Sequence, residues 1–88
     1  MISKKVTVTW RGGIHLRPAG LIAKTVCLSK SNVTILFGDR TANGKSVLSI
    51  MGASIRCGSE IEIQCDGPDE EETLATLVEL VENDFGMQ

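Results

Sequence analysis

The single histidine of this sequence is the residue best suited to carry chemistry. His15 follows the pair Gly12-Gly13 and comes just before Pro18, so it lies between a flexible turn and the start of a predicted helix. An imidazole is a nucleophile near neutral pH, and the free amides of a helix start hold an anion attached to it. Arg17 adds a guanidinium fork that matches phosphate oxygens. The two residues predict phosphoryl chemistry, and spacing alone leaves open a surface histidine beside a structural arginine.

Ser46 is a candidate helix N-cap, because it precedes an apolar run that fits a short helix better than a strand. A serine at this position stabilises a helix by about 0.5–2 kcal/mol relative to alanine. Asn43-Gly44 just before it is also a strong hairpin signal, and this alternative stays open. The apolar run consists of Val47, Leu48, Ile50 and Met51.

Metal and disulfide chemistry are not favoured by the remaining residues. One histidine and three cysteines without a CxxC pair do not assemble the ligands of a zinc site or a disulfide framework. We expect Cys27, Cys57 and Cys65 to be reduced and mostly buried, since a free cysteine behaves as a small hydrophobe. We also expect no metal and no cofactor.

Hydrophobic periodicity predicts the elements that position these residues. Strands are predicted at 4–10, 32–37 and 40–42, and a last strand carries Ile61, Ile63 and Cys65. A first helix is predicted at 16–28, a short helix after Ser46, and a final helix from Asp69 onward. The order β-α-β-β-α-β-α predicts an α+β fold, a two-layer open-faced sandwich with a four-stranded antiparallel sheet and three helices on one face.

The final helix carries the strongest local signals. Its apolar residues recur at helical spacing, and acidic residues fill its first turn, where they complement the helix dipole. Asp69 with Glu72 three residues later predicts a capping box.

Length and composition limit the number of domains and the classes of function that the chain can have. Eighty-eight residues with 42% hydrophobic and 23% charged residues predict one folded domain over 1–88. A net charge of -2 and three aromatic residues argue against nucleic-acid binding. The N-terminal residues alternate and include charges, so we expect no signal peptide, no membrane span and a cytoplasmic location.

Residues 13–19 (GIHLRPA) resemble the active-site motif of the HPr family, the histidine phosphocarriers of the phosphoenolpyruvate-dependent phosphotransferase system. Residues 43–48 (NGKSVL) resemble its second signature, a serine at the start of the short helix. Residues 67–72 and Asp84-Phe85 are similar to the nitrogen-related branch of the family. The resemblance covers essentially the whole chain and leaves the sugar and nitrogen branches open.

The resemblance implies a monomeric phosphoryl carrier and not a stand-alone enzyme. Enzyme I would phosphorylate His15 at Nδ1, backbone amides and Arg17 would hold the phosphate oxygens, and an enzyme IIA domain would remove the group. Ser46 would be a regulatory site for HPr kinase/phosphorylase; a gapped alignment would select Ser49 instead, but the ungapped spacing from His15 selects Ser46. The implied docking surface, with Lys24 as a rim contact at the same end of the first helix, comprises Leu16, Gly20, Lys24, Val47, Leu48 and Met51. A short helix cannot bury every side, so we expect at least one of its apolar residues to be exposed.

Three departures from the family pattern are Gly12, the leucine at Leu16, and Phe85 near the C-terminus. They bear on the pH dependence of transfer and on the branch that the protein serves. Two other classes of protein remain as alternatives, a purely regulatory binding module controlled at Ser46 and a small-ligand-binding α+β domain.

Overall fold

The protein consists of a four-stranded antiparallel sheet with three helices packed on one face. The structure is a computed structural model that describes residues 1–87. The predicted fold class and element order are confirmed. A short 3-10 turn, Asp84–Gly86, follows the last helix. The elements are β1 (Ile2–Thr7), α1 (Leu16–Cys27), β2 (Asn32–Phe37), β3 (Arg40–Asn43), α2 (Val47–Gly52), β4 (Glu60–Asp66) and α3 (Glu70–Glu82).

The strands are ordered β1-β4-β2-β3, so β4 pairs on both sides. Ile63 of β4 lies opposite Ile35 of β2, and Ile61 lies opposite Val6 of β1. These residues are buried beneath the helices, whereas the alternate residue Glu62 faces away from them. Cross-strand pairs of branched side chains therefore build the core on one face of the sheet.

The first strand begins and ends earlier than predicted. It pairs with β4 from Ile2 to Thr7, since Thr7 lies opposite Glu60, the first residue of β4. Val8 is fully buried just beyond the strand, and its amide still donates to the Ser59 carbonyl at 2.8 Å. Trp10, predicted to end the strand, packs against the core beyond it.

The structure selects the short helix after Ser46 over a hairpin at Asn43-Gly44. The Gly44 amide donates to the Val33 carbonyl at 2.9 Å, and a Cβ at Gly44 would lie 2.9 Å from the Val33 side chain. Gly44 therefore continues beside β2 instead of turning back. Ser46 is the N-cap of α2, and its Oγ accepts a hydrogen bond from the Ser49 amide at 3.1 Å. The predicted cap is confirmed.

The predicted capping box of the last helix is wrong. Asp69 is at the N-cap position of α3, but its side chain makes no capping hydrogen bond. Its carboxylate instead accepts from the Ser31 hydroxyl and from the Lys30 amide at 3.0 Å, and Glu72 is exposed. The Ser31 hydroxyl, followed by the Lys30 amide, lowers the pKa of Asp69 to about 2. The aspartate thus joins the segment before β2 to the start of α3.

The cysteines divide between core and surface. Cys65 is fully buried in β4, and burial raises the pKa of its thiol. Cys27 and Cys57 are exposed, so the expectation of mostly buried thiols is wrong for these two. Cys27 is the last residue of α1, and Cys57 lies in the turn before β4, where the chain runs outside the sheet.

The segment before α1 is packed against the segment before β4. Gly13 has a φ of +65°, and a Cβ there would lie 2.7 Å from the Ile55 carbonyl oxygen. The amide of the buried Ile14 donates to the same carbonyl at 3.0 Å. Glycine is required here because a side chain would be strained in this conformation and would also meet backbone atoms. This contact sets where α1 begins.

Candidate functional site

His15 is the N-cap residue of α1 and is exposed to solvent. Its backbone is extended, with φ -96° and ψ -156°, and its side chain makes no capping hydrogen bond. The His15 carbonyl accepts the first helical bond, from the Ala19 amide at 2.9 Å. The backbone therefore starts the helix while the imidazole stays available to an incoming group.

The first turn of α1 supplies unpaired donors next to this imidazole. Within residues 1–87 the amides of Leu16 and Arg17 have no hydrogen-bond acceptor, as is usual at a helix start. Pro18, the third helical residue, has no amide hydrogen and is buried, so it anchors the turn without adding a donor. Two amides and the positive end of the helix dipole are thus available to an anion at His15.

A groove of about 490 Å³ runs beside the imidazole. One side is the turn before α1, and the other is the segment from Ser54 to Cys57 together with Met51 of α2. Two arginines line the groove and no carboxylate does. The basic side chains of this lining belong to His15, Arg11 and Arg56.

Sequence reasoning identified neither Arg11 nor Arg56. Arg11 adjoins the glycine pair, and that neighbourhood was an available signal. Arg56 lies 41 positions beyond His15 and has no sequence motif of its own. Long-range packing, including the contact of Gly13 with the Ile55 carbonyl, brings Arg56 to the groove.

The predicted Arg17 lies in the first turn of α1 and is exposed. It does not line the groove, and it forms no ion pair with another residue of the described chain. Arg17 therefore shares the helix start with His15, and its role in holding an anion stays a prediction.

The residues of the expected docking surface divide by exposure. Leu48 is 82% exposed and Leu16 is 64% exposed, so two apolar side chains near the start of α1 and on α2 face solvent. Val47 and Met51 are half-buried against the core, and Ile50 is fully buried. The expectation that the short helix leaves an apolar side chain exposed holds for Leu48.

The other two residues of that surface lie farther along α1. Gly20 is half-buried and Lys24 is exposed. Lys24 is in the last turn of α1, roughly 14 Å from His15 along the helix axis. The expectation that it faces the same end of the helix as His15 is wrong, because Lys24 lies nine positions beyond His15 and in the last turn of α1.

Residues 1–87 contain neither a metal-binding cluster nor a membrane-spanning helix. Among them no group of three or more His, Cys, Asp or Glu side chains could hold a metal ion. In the same part of the chain no helix has both the length and the apolar character needed to cross a membrane.

The chain was then compared with known proteins. The family model described as PTS HPr component phosphorylation site matches residues 2–83. A phosphocarrier protein HPr from Treponema pallidum is 35% identical over 85 residues, which cover 97% of each chain.

Solved structures agree with this match. HPr-C-His from Thermoanaerobacter tengcongensis superposes with a TM-score of 0.95 at 30% identity, covering 100% of this chain and 99% of the other. A phosphocarrier protein HPr from Bacillus anthracis gives a TM-score of 0.87 at 34% identity, covering 91% and 95%. Sequence and fold agree, and the chain belongs to the HPr family of phosphocarriers of the phosphotransferase system.

Proposed function

We propose that this chain, as one domain over 1–88, accepts a phosphoryl group on His15 from enzyme I and passes it to an enzyme IIA domain in the cytoplasm. One observation carries the proposal. His15 is an exposed N-cap residue with no capping hydrogen bond, and the first amides of α1 beside it lack acceptors within the described chain. A phosphoryl group on the imidazole supplies the missing acceptor.

The chemistry of transfer needs few protein groups. An imidazole nitrogen of His15 attacks the phosphorus, a nitrogen–phosphorus bond forms, and the bond from phosphorus to the donor breaks. The amides of Leu16 and Arg17 then bind the phosphoryl oxygens, and we assign the Arg17 guanidinium to the same task. Enzyme IIA reverses the sequence by attacking the same phosphorus.

Exposure of the site suits a carrier. A deeply buried and fully charged pocket would stabilise phosphohistidine too strongly for onward transfer and would exclude the acceptor. Here the imidazole is exposed, and two backbone donors supply a limited stabilisation. Each partner enzyme can therefore reach the phosphorus and complete the charge neutralisation itself.

We assign partner binding to the surface made by the outer side of α1 and by α2. Leu16 and Leu48 are its exposed apolar anchors, and Met51 and Val47 are partly accessible beside them. A small apolar patch of this kind suits short-lived encounters with several partners. The full set that we assign to it is Leu16, Gly20, Lys24, Val47, Leu48 and Met51.

We also assign a regulatory role to Ser46, as a substrate of HPr kinase/phosphorylase. Its hydroxyl caps α2 two residues before the exposed Leu48. A phosphate at this N-cap is tolerated by the helix, because negative charge is favourable at a helix N-terminus. The same dianion beside an apolar docking surface repels an acidic partner.

Substitution of the histidine tests the carrier function. Incubation with phosphoenolpyruvate and enzyme I is expected to add one acid-labile phosphoryl group to the wild type and none to His15→Ala, as measured by intact-mass spectrometry. Circular dichroism provides the control that the variant is folded. An acid-stable phosphate formed only on Ser46 would instead favour the regulatory binding module.

A charge placed on the docking surface tests partner binding. Leu48→Glu is expected to slow phosphoryl transfer from enzyme I about tenfold or more, since an apolar anchor is worth about 1.5–3 kcal/mol when buried by a partner. Leu28→Glu is the matched control. Leu28 is 80% exposed, close to the 82% of Leu48, but it is the C-cap residue beyond α1 and does not belong to the assigned set. Equal transfer rates for the two variants, measured by rapid quench, would contradict the assigned surface.

A pair of substitutions at Ser46 separates charge from helix capping. Aspartate and asparagine cap helices about as well as serine, so both variants should fold with nearly unchanged stability. Ser46→Asp is expected to raise the KM of enzyme I for this chain several-fold, while Ser46→Asn leaves it near the wild-type value. The same rise in both variants would show that loss of the hydroxyl, and not added charge, is responsible.

A further inference from the structure

We propose that Arg11 and Arg56 bind the phosphoryl group carried by His15 from the groove side of the site. This inference rests on the proposed function and adds two guanidinium groups to it. Both arginines line the groove that contains His15. They would supplement the donors at the helix start, which are the backbone amides of Leu16 and Arg17 and the Arg17 guanidinium.

The backbone of Arg56 is held against the loop that leads to His15. The Ile14 amide donates to the Ile55 carbonyl at 3.0 Å, which places Ile55 beside the residue before His15. At Gly13 a Cβ would lie only 3.0 Å from the Arg56 Cα. Arg56 therefore starts from a backbone position in direct contact with the active-site loop.

The segment that carries Arg56 is also fixed to the body of the protein. The Arg56 amide donates a hydrogen bond to the Ser59 hydroxyl at 3.2 Å. The Gly58 amide donates to the Val8 carbonyl at 2.7 Å, and the Val8 amide donates back to Ser59 at 2.8 Å. These bonds continue the pairing of β1 with β4 past the end of β1. The sheet thus sets the distance between Arg56 and the active-site loop.

Arg11 reaches the groove from the other side, and Trp10 restrains it. The guanidinium carbon of Arg11 lies 5.8 Å from the centre of the Trp10 ring. Trp10 itself packs against the core, and a Cβ at Gly12 would lie 2.9 Å from its indole nitrogen. The absence of a side chain at Gly12 allows the ring to lie against the turn and support Arg11.

The charges around the groove favour an anion. No carboxylate lines it, and neither arginine forms an ion pair within residues 1–87, where both ion pairs involve the N-terminal amine. Two uncompensated guanidinium groups and an imidazole thus share one concavity. A phosphoryl dianion on His15 supplies the missing negative charge, with oxygens suited to a guanidinium fork.

Phosphorylation with phosphoramidate tests this inference without enzyme I. The imidazole nitrogen attacks the phosphorus of phosphoramidate, the phosphorus–nitrogen bond of the reagent breaks, and ammonia leaves with a proton. The lifetime of the phosphohistidine and the pH midpoint of its ³¹P resonance are then measured by NMR. The variants are Arg56→Gln, Arg11→Gln and the double variant, with Arg56→Lys retaining the charge but not the fork.

We expect each glutamine variant to shorten the phosphohistidine lifetime several-fold and to shift the ³¹P titration midpoint, with a larger effect in the double variant. Arg56→Lys should fall between Arg56→Gln and the wild type. Lys30→Gln is the matched control, since it removes one exposed positive charge that does not line the groove. A merely structural role would alter stability but not the titration midpoint.

Lifetimes and midpoints equal to those of the wild type and of Lys30→Gln would overturn the assignment of Arg11 and Arg56. That result would leave the carrier function intact if enzyme I still phosphorylates His15. Failure of enzyme I to phosphorylate the wild type would contradict the proposed function, while the phosphoramidate experiment would still report on the two arginines.

Discussion

The close approach of Gly13 to the backbone of Ile55 and Arg56 is the constraint on which the site depends. It is possible only because glycine has no Cβ and accepts a positive φ, and the Ile14 amide completes it by bonding to the Ile55 carbonyl. The sheet holds the segment after Arg56, and through this contact it determines where α1 starts. The position of His15 at the N-cap is therefore a consequence of core packing and not of the loop alone.

The site combines a buried helix turn with an exposed histidine side chain. Pro18 is buried beneath the first turn, whereas His15 is exposed above it, and the amides of Leu16 and Arg17 remain free within the described chain. Because these backbone amides are already oriented, the protein needs little rearrangement when a phosphoryl group binds to the histidine or leaves it. Under the proposed function, this arrangement allows a chain with a single small core to take part in phosphoryl transfer, since the partner enzymes would supply the remaining groups that stabilise each transition state.

Local patterns in the sequence predicted most of the fold, and long-range packing decided the rest. Alternation located β2 and β4, and the apolar run directly after Ser46 predicted it as an N-cap. The structure confirms the cap, whose donor is the Ser49 amide only three residues away. Asp69 shows the limit of such reasoning, since its sequence context indicates a capping box while its carboxylate bonds instead to Ser31 and Lys30, nearly forty residues earlier. His15 was predictable for the same reason as Ser46, because a turn and a helix start adjoin it. Arg56 was not predictable, because long-range packing, including the contact between Gly13 and Ile55, brings it to the groove.

Amide proton and nitrogen chemical shifts, recorded before and after phosphorylation of His15, report whether the free amides at the start of α1 bind the phosphoryl group. The Leu16 and Arg17 amide protons are expected to move strongly downfield on phosphorylation, because each would form a new hydrogen bond to a charged oxygen. Unchanged resonances for these two amides in a chain that carries phosphate on His15 would show that the helix start does not hold the phosphoryl group.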